Sequence, residues 1–390
     1  MQLPLRDYLL EFGQLFQTSL FPRIEEEVGE LGARARLLVQ VLAMAPLAPW
    51  LQRSKGPGRP CEDRHSLSAA FLAKAVYNFV TTRQLMEMLR ASPQLRRLCG
   101  WNTLSELPHE STFSRAFAEF AHSKLPQQLH QALIKASHGD RLVGHISRDS
   151  TAIEARERFP AMPAQPVNKT SSKNKIQSKK KKKSNKRPKR AKASERGTQI
   201  ERQRNMTLDQ MLAGLSTACA IGVKTSSKGH KNYWRGYKLH LDVADGQIPV
   251  SATLTGANVH DSTVAIPLMT MSAQRVTWLY DVMDSAYDAD AILEHSTGMN
   301  HVPIVQPHPR RNGKSKSILP KVFQAKLAPE MAPAQKQRYK ERTTIERVNA
   351  RLKDEYGARH IRVRGAAKVF AHLAFGLVAL TVDQLLKLAG

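Results

Sequence analysis

The stretch GYKLHLDVADGQIPVSATLTGA, residues 236–257, decides the fold class. Tyr237, Leu239, Leu241 and Val243 alternate with Lys238, His240 and Asp242, the two-residue period of a strand. Asp245 and Gly246 form a turn dipeptide, and IPVSATLTGA reads as the returning strand of an antiparallel hairpin. Outward from this hairpin, GHISRDSTAI (144–153) predicts a preceding strand. RVTWLYDVMD (275–284) is more continuously apolar, as a central strand should be, and HVPIVQP (301–307) predicts one more. Helical stretches fall between and after them. The order strand, hairpin, helix, strand, helix, strand, helix describes an α/β domain with a mixed sheet.

Residues 1–140 read as helices. SLSAAFLAKAVYNFV keeps an apolar face through Leu67, Phe71, Ala75 and Phe79 behind a Ser66 cap. Thr82 is the expected cap of the next helix, and Ser111 or Thr112 that of ESTFSRAFAEF. Phe113, Phe117 and Phe120 point inward there and Arg115 outward. Short helices with outward basic residues suit a helix-turn-helix-like DNA reader, and equally a plain bundle. KGPGRP, with Arg59, reads as a flexible basic joint or a minor-groove arm. The apolar run of residues 369–382 is short of the ~20 residues that span a bilayer and predicts a buried helix.

The chain of 390 residues carries 60 basic and 33 acidic side chains, a net charge of +27. So one-sided a charge points to a polyanionic partner, nucleic acid before an anionic membrane. Residues 168–197 hold 14 Lys or Arg, including Lys180, Lys181, Lys182 and Arg187, against one Glu and no aromatic. Such a segment buries too little apolar surface to order itself. It reads as a solvated insert, as a non-specific phosphate attractor or as an import signal. Cys61, Cys99 and Cys219 form no CxxC pair, which fits reduced thiols in a cytosolic setting. Near the start, Arg6, Asp7 and Glu11 interrupt the apolar residues, which argues against a secretory leader.

Phosphodiester chemistry by divalent cations needs clustered carboxylates. Asp149 sits inside a predicted strand, and Asp284 ends another, with Asp281 a rival inside the same run. In RYKERTTIERVNARLKDEYG (338–357), at ~100° per residue, Tyr339, Arg342, Glu346, Asn349 and Lys353 fall within ~80° of one another. They border an apolar seam of Ile345, Val348, Leu352 and Tyr356. Each acid also has a plain account: Asp149 and Asp284 as turn or helix caps, Glu346 as an i,i+4 partner of Arg342.

Tyr339, Arg342, Glu346 and Lys353 match, without a gap, the Y-x2-R-x3-E-x6-K signature of bacterial insertion-sequence transposases of the DDE class. MDSAYDA resembles that family's D-x-G-Y-D element, with Asp284 and Tyr287 in place and Ala286 where the family has glycine. RDSTAIEARE resembles the segment carrying the first acid, Asp149, and residues 229–262 resemble its hairpin and following loop. The likeness covers essentially the whole chain, the lysine-rich insert least.

The resemblance implies an RNase H-like mixed five-stranded sheet flanked by helices, preceded by an all-α N-terminal domain. The implied organisation is a helical end-binding domain at 1–140, a catalytic domain at 141–365 with the insert at about 165–198, and a C-terminal helix at 366–390 packed on it. It implies DNA cleavage and strand transfer with Asp149, Asp284 and Glu346 holding two Mg²⁺, which Mn²⁺ can replace. Arg342 would brace Glu346 or touch DNA, Tyr339 would stack on a base or buttress the helix, and Lys353 would meet a phosphate. Asn349 shares their ridge. His260 and Asp261 follow the hairpin and approach the site or cap a helix. The implied partners are the terminal inverted repeats and target DNA, bound by a homo-oligomer, a dimer, in the cytoplasm at the nucleoid and with no membrane. Rival readings are a non-catalytic DNA-binding relic, an RNase H-like nuclease that never joins, and a tyrosine recombinase using Tyr339, which would leave a covalent protein–DNA link. Deleting about residues 170–195 is expected to weaken DNA binding and flatten its salt dependence, as binding isotherms over a salt series would register.

Overall fold

The computed structural model describes residues 5–45, 47–51, 62–139, 141–157, 198–225, 230–306 and 331–389. Arg59, Lys180, Lys181, Lys182 and Arg187 lie outside them, as do KGPGRP and almost all of the basic insert.

Among the described residues, eight α-helices open the chain: α1 Leu5–Leu15, α2 Phe21–Val28, α3 Ala33–Met44, α4 Arg64–Val76, α5 Thr82–Ala91, α6 Pro93–Leu98, α7 Glu110–His122 and α8 Leu125–His138. Their caps lie one to three residues before the expected ones. Asp63 caps α4 by accepting from the amides of His65 and Ser66, Thr81 forms a capping box with Gln84 on α5, and His109 caps α7. In each case the group that captures the free amides sets the start of the helix. Phe71 of α4 is the centre of the bundle. It packs on Phe113, Phe117 and Phe120 of α7 and on Phe375 of the C-terminal helix, Ala366–Ala389.

That last helix is long and apolar enough to cross a membrane, yet 83% of its apolar window is buried inside the protein. It packs on the strand Ile248–Gly256 of the sheet and also among α1, α3, α4, α7 and α8, so one continuous core joins the two ends of the chain.

Among the described residues the sheet has six strands: β1 Leu142–Glu154, β2 Ala220–Thr225, β3 Lys231–Ala244, β4 Ile248–Gly256, β5 Thr277–Met283 and β6 Val302–Val305. The order is β2-β3-β1-β5-β6, with β4 also on β3. β1 is antiparallel to β3 and parallel to β5, and β5 is parallel to β6. The strand beyond the five expected is β2, six residues whose apolar side chains face water, so no buried periodicity announces it. It pairs only with the first part of β3, Lys231 to Gly236, upstream of the part that β4 pairs. The hairpin turn is a 3₁₀ loop, Asp245–Gln247, with Gly246 at φ 71°. Asp245 ties this loop to β1 by accepting from the Gly144 amide and pairing with His145.

Helices cover both faces. α9 Gln199–Gln203, α10 Leu208–Ala213, α11 Ser262–Ala273 and α12 Asp290–Gly298 form one layer. The signature helix, Thr343–Glu355, and the C-terminal helix form the other. The side chains of Lys238, His240 and Asp242, read as the hairpin's polar face, are therefore covered by the α11 layer, and His240 and Asp242 are fully buried.

Arg148 makes that burial possible. It is fully buried, with 2.8 Å to Asp242 of β3 and 3.2 Å to Asp281 of β5. Burial and then Arg148 act oppositely on the two acids. Asp281 also gathers Ser296, Trp278 and His301, and it ends below the usual carboxylate range. Asp242 has one oxygen without a partner among the described residues, and burial pushes its carboxyl up. Asp281, the second acid of that strand, is thus held in a buried ion pair with Arg148. Arg148→Met leaves two buried carboxylates without their cation, and a loss of about 3–5 kcal/mol is expected from urea unfolding.

Candidate active site

β1 continues past the end of β5. The parallel register sets Arg148 beside Met283, so the next residues, Asp149 and Asp284, stand side by side where β5 leaves the sheet. Strand alternation puts both on the face opposite Arg148. The Ser147 hydroxyl, on that same face, donates to the Glu341 carbonyl just before the signature helix, which fixes the helix over this side (3.2 Å). The carboxyl ends of parallel strands are where open α/β sheets bind ligands.

Both plain accounts hold in part. Asp149 accepts from the Ser150 amide at 2.7 Å, and Asp284 caps the turn Ser285–Tyr287 through the Ala286 amide at 2.8 Å. Each uses one oxygen. Burial, with the charge of Asp284, pushes the Asp149 carboxyl up to about 6. Burial and then Asp261 raise Asp284, against the pull of Arg342 and Lys224. Two carboxylates that resist ionisation side by side favour a cation between them.

Glu346 is half exposed and accepts from Arg342 at 2.7 Å. Arg342 therefore braces Glu346, and its charge also acts on Asp149 and Asp284. Tyr339 feels Asp284, Asp149 and Glu346 together, while its hydroxyl donates to Gln306. The single helix expected over 338–357 is broken. Pro333–Tyr339 ends, a 3₁₀ turn of Lys340–Arg342 follows, and the helix resumes at Thr343. The Glu341 carbonyl in that turn is the one bound by Ser147, a partner outside the helix. The apolar seam of Ile345, Val348, Leu352 and Tyr356 is buried as expected. Asn349 belongs with it: it is buried, and its Oδ1 has no partner among the described residues. Lys353 lies by the end of β1. Burial, then Arg359 and Lys224, lower its affinity for a proton, against Glu154. Arg115 is exposed on α7.

His260 and Asp261 exchange the expected parts. The His260 imidazole takes the Ser262 amide and hydroxyl at the start of α11. Asp261 already has helical φ and ψ and caps nothing. Its Oδ1 instead accepts from Lys238 and Ser150, both at 2.9 Å, on the α11 side of the sheet behind Asp149. The sequence left Asp261 between two parts, approaching the site or capping the helix, because both leave the same sequence trace. Arg148 and Lys224 went unread; a lone arginine within an apolar strand was the signal for the first.

Among the described residues, no three His, Cys, Asp or Glu side chains are gathered into a metal cage. Asp149 and Asp284 can offer hard oxygen donors of the kind Mg²⁺ takes, and Glu346 can join them once it leaves Arg342. The donor chemistry fits a divalent cation.

An RNase H-like fold with acids at the parallel end of its sheet defines a class of nucleic-acid enzymes. Within it, the family model described as transposase DDE domain matches residues 144–382, and that described as transposase domain (DUF772) matches residues 23–119. The chain belongs to the transposase DDE domain family, whose members act on DNA and generally depend on divalent metal. No curated protein and no solved structure matches it.

The Asp149 carboxyl binds its proton more tightly folded, near pH 6, than at its ordinary 3.8. Its contribution to stability is full below about pH 4 and is lost as pH rises through 6. In EDTA, Asp149→Asn is expected to be more stable than the parent by up to about 3 kcal/mol at pH 7–8, the gap closing toward pH 4. Urea unfolding over a pH series measures it.

Proposed function

We propose that this transposase cleaves the ends of an insertion sequence and joins them to target DNA at a triad of Asp149, Asp284 and Glu346. The observation that carries the reading is the β1–β5 register, with the two aspartates adjacent in a buried, cation-seeking pair. Support also comes from the signature residues around it: Arg342 and Tyr339 act on the same acids.

Asp149, Asp284 and Glu346 would hold two Mg²⁺, or Mn²⁺. When bound, these ions supply charge stabilisation at the scissile phosphate and an acidified water. Glu346 must first leave Arg342. A half-exposed i,i+4 ion pair is worth only about 0.3–0.5 kcal/mol, so exchanging it is cheap. Arg342 is then free to meet DNA phosphate with its planar fork. Lys353, on the same helix, contacts the backbone further from the cut. Cleavage frees a 3′-hydroxyl, which attacks the target phosphate directly. The helical region up to about residue 140 binds the terminal repeats, with Arg115 on its outer surface. The basic insert adds non-specific attraction, and two copies of the chain bring two ends together.

The test is strand transfer on pre-cut ends with Mg²⁺ or Mn²⁺ against EDTA. Asp149→Asn, Asp284→Asn and Glu346→Gln are each expected to lower joining by about 10³-fold or more while sparing end binding. A variant that still cuts removes its residue from the triad. Cutting without joining would make the protein a nuclease, and binding alone a relic.

A further inference from the structure

Past Arg148, β1 runs on without β5. The last β1–β5 pair is Arg148 with Met283, whereas pairing with β3 continues from Asp149–Leu241 to Glu154–Gly236. Among the described residues, no strand pairs with β1 on its β5 side at Asp149. Backbone paired on one side opens more readily than backbone paired on both. The first acid therefore sits where the sheet alone holds it least.

The next residue supplies a hold. The Ser150 amide donates to Asp149 Oδ1 at 2.7 Å, and the Ser150 hydroxyl donates to Asp261 Oδ1 at 2.9 Å. Ser150 alternates with Asp149, so its side chain enters the α11 layer while the Asp149 carboxyl faces the signature helix. Asp261 thus reaches β1 from the side opposite the paired aspartates. Asp261 is itself fixed. Its Oδ1 also accepts from Lys238 of β3 at 2.9 Å, and the same ammonium donates to the Val259 carbonyl at 2.9 Å. The His240 Nδ1 lies 3.9 Å from that oxygen.

Local helix chemistry would turn Asp261 elsewhere. An aspartate just before a helix commonly captures a first-turn amide. Here the His260 imidazole accepts from the Ser262 amide instead, and the Asp261 carboxylate crosses to the sheet. The path from α11 to the acid is then continuous through Asp261, Ser150 and Asp149.

We infer that Asp261 is a positioning residue, which holds the Asp149 carboxyl in place for a divalent cation through the Ser150 hydroxyl. It is a brace and not a further ligand, since it lies across the sheet from Asp149 and shares its Oδ1 between an ammonium and a hydroxyl. Groups that orient a metal-binding carboxylate in this way strengthen its hold on the ion. The inference rests on Asp149 as a cation ligand, as in the proposed function.

The test titrates Mn²⁺ into the full chain without DNA and reads free Mn²⁺ by electron paramagnetic resonance. Ser150→Ala is expected to weaken Mn²⁺ binding about tenfold, and Asp261→Ala at least as much. In the Asp261→Ala protein, adding Ser150→Ala should change affinity by less than about twofold, because both act along one path. Ser150→Thr, which keeps the hydroxyl, should bind Mn²⁺ within about twofold of the parent. A purely structural role would lower the urea midpoint and leave the Mn²⁺ affinity of the folded protein unchanged. Unchanged affinity in Ser150→Ala, or independent losses in the double variant, would overturn the inference. Asp149→Asn is the separating control. If it loses Mn²⁺ while Ser150→Ala keeps it, only the positioning role fails; if it binds Mn²⁺ like the parent, the triad fails as well.

Discussion

The central constraint is one buried cation. Arg148 lies in the middle of the sheet and pairs with an aspartate on each neighbouring strand, Asp242 and Asp281. Replacing such a cluster with apolar groups would often cost little, so it is weak evidence for stability. Its consequence here is positional. It gathers β3, β1 and β5 in one register, and the residue that follows Arg148 then faces the other way, beside the residue that follows Met283. A slip of one residue would turn Asp149 into the α11 layer and separate it from Asp284.

The rest of the molecule encloses that sheet. The C-terminal helix threads from β4 into the N-terminal bundle, where Phe375 stacks on Phe71. The helices that open the chain share a core with its C-terminal helix, so the helical and sheet regions are coupled mechanically rather than strung on a linker. His372 spans the same junction, its Nε2–H donating to the Gly357 carbonyl and its Nδ1 accepting from Lys74. Burial drives the proton off His372 and pulls Lys74 down to about 8.

Electrostatics around the acids run in layers. Asp149 and Asp284 face the signature helix, Asp261 adds negative charge from behind, and Arg342 is the basic group that acts on both aspartates. The surplus at these acids is negative, within a chain of net charge +27. A site of that polarity attracts cations, while the surface around it attracts DNA.

Alternation and apolar runs in the sequence determined the α/β class, four of the six strands to within two residues, and the seam of the signature helix. These are local periodicities, and burial of one face is enough to write them. The signature spacing and the contexts of Asp149 and Asp284 were legible for the same reason, being short-range. Tertiary structure alone decided which acids became neighbours. Asp281 and Asp284 look alike along one strand, yet only the pleat sends the first to Arg148 and the second to Asp149. It also decided that His260 caps while Asp261 does not, that Asn349 is buried, and that β2 exists. Each depends on partners more than ten residues away or on a backbone angle, and neither leaves a period in the chain.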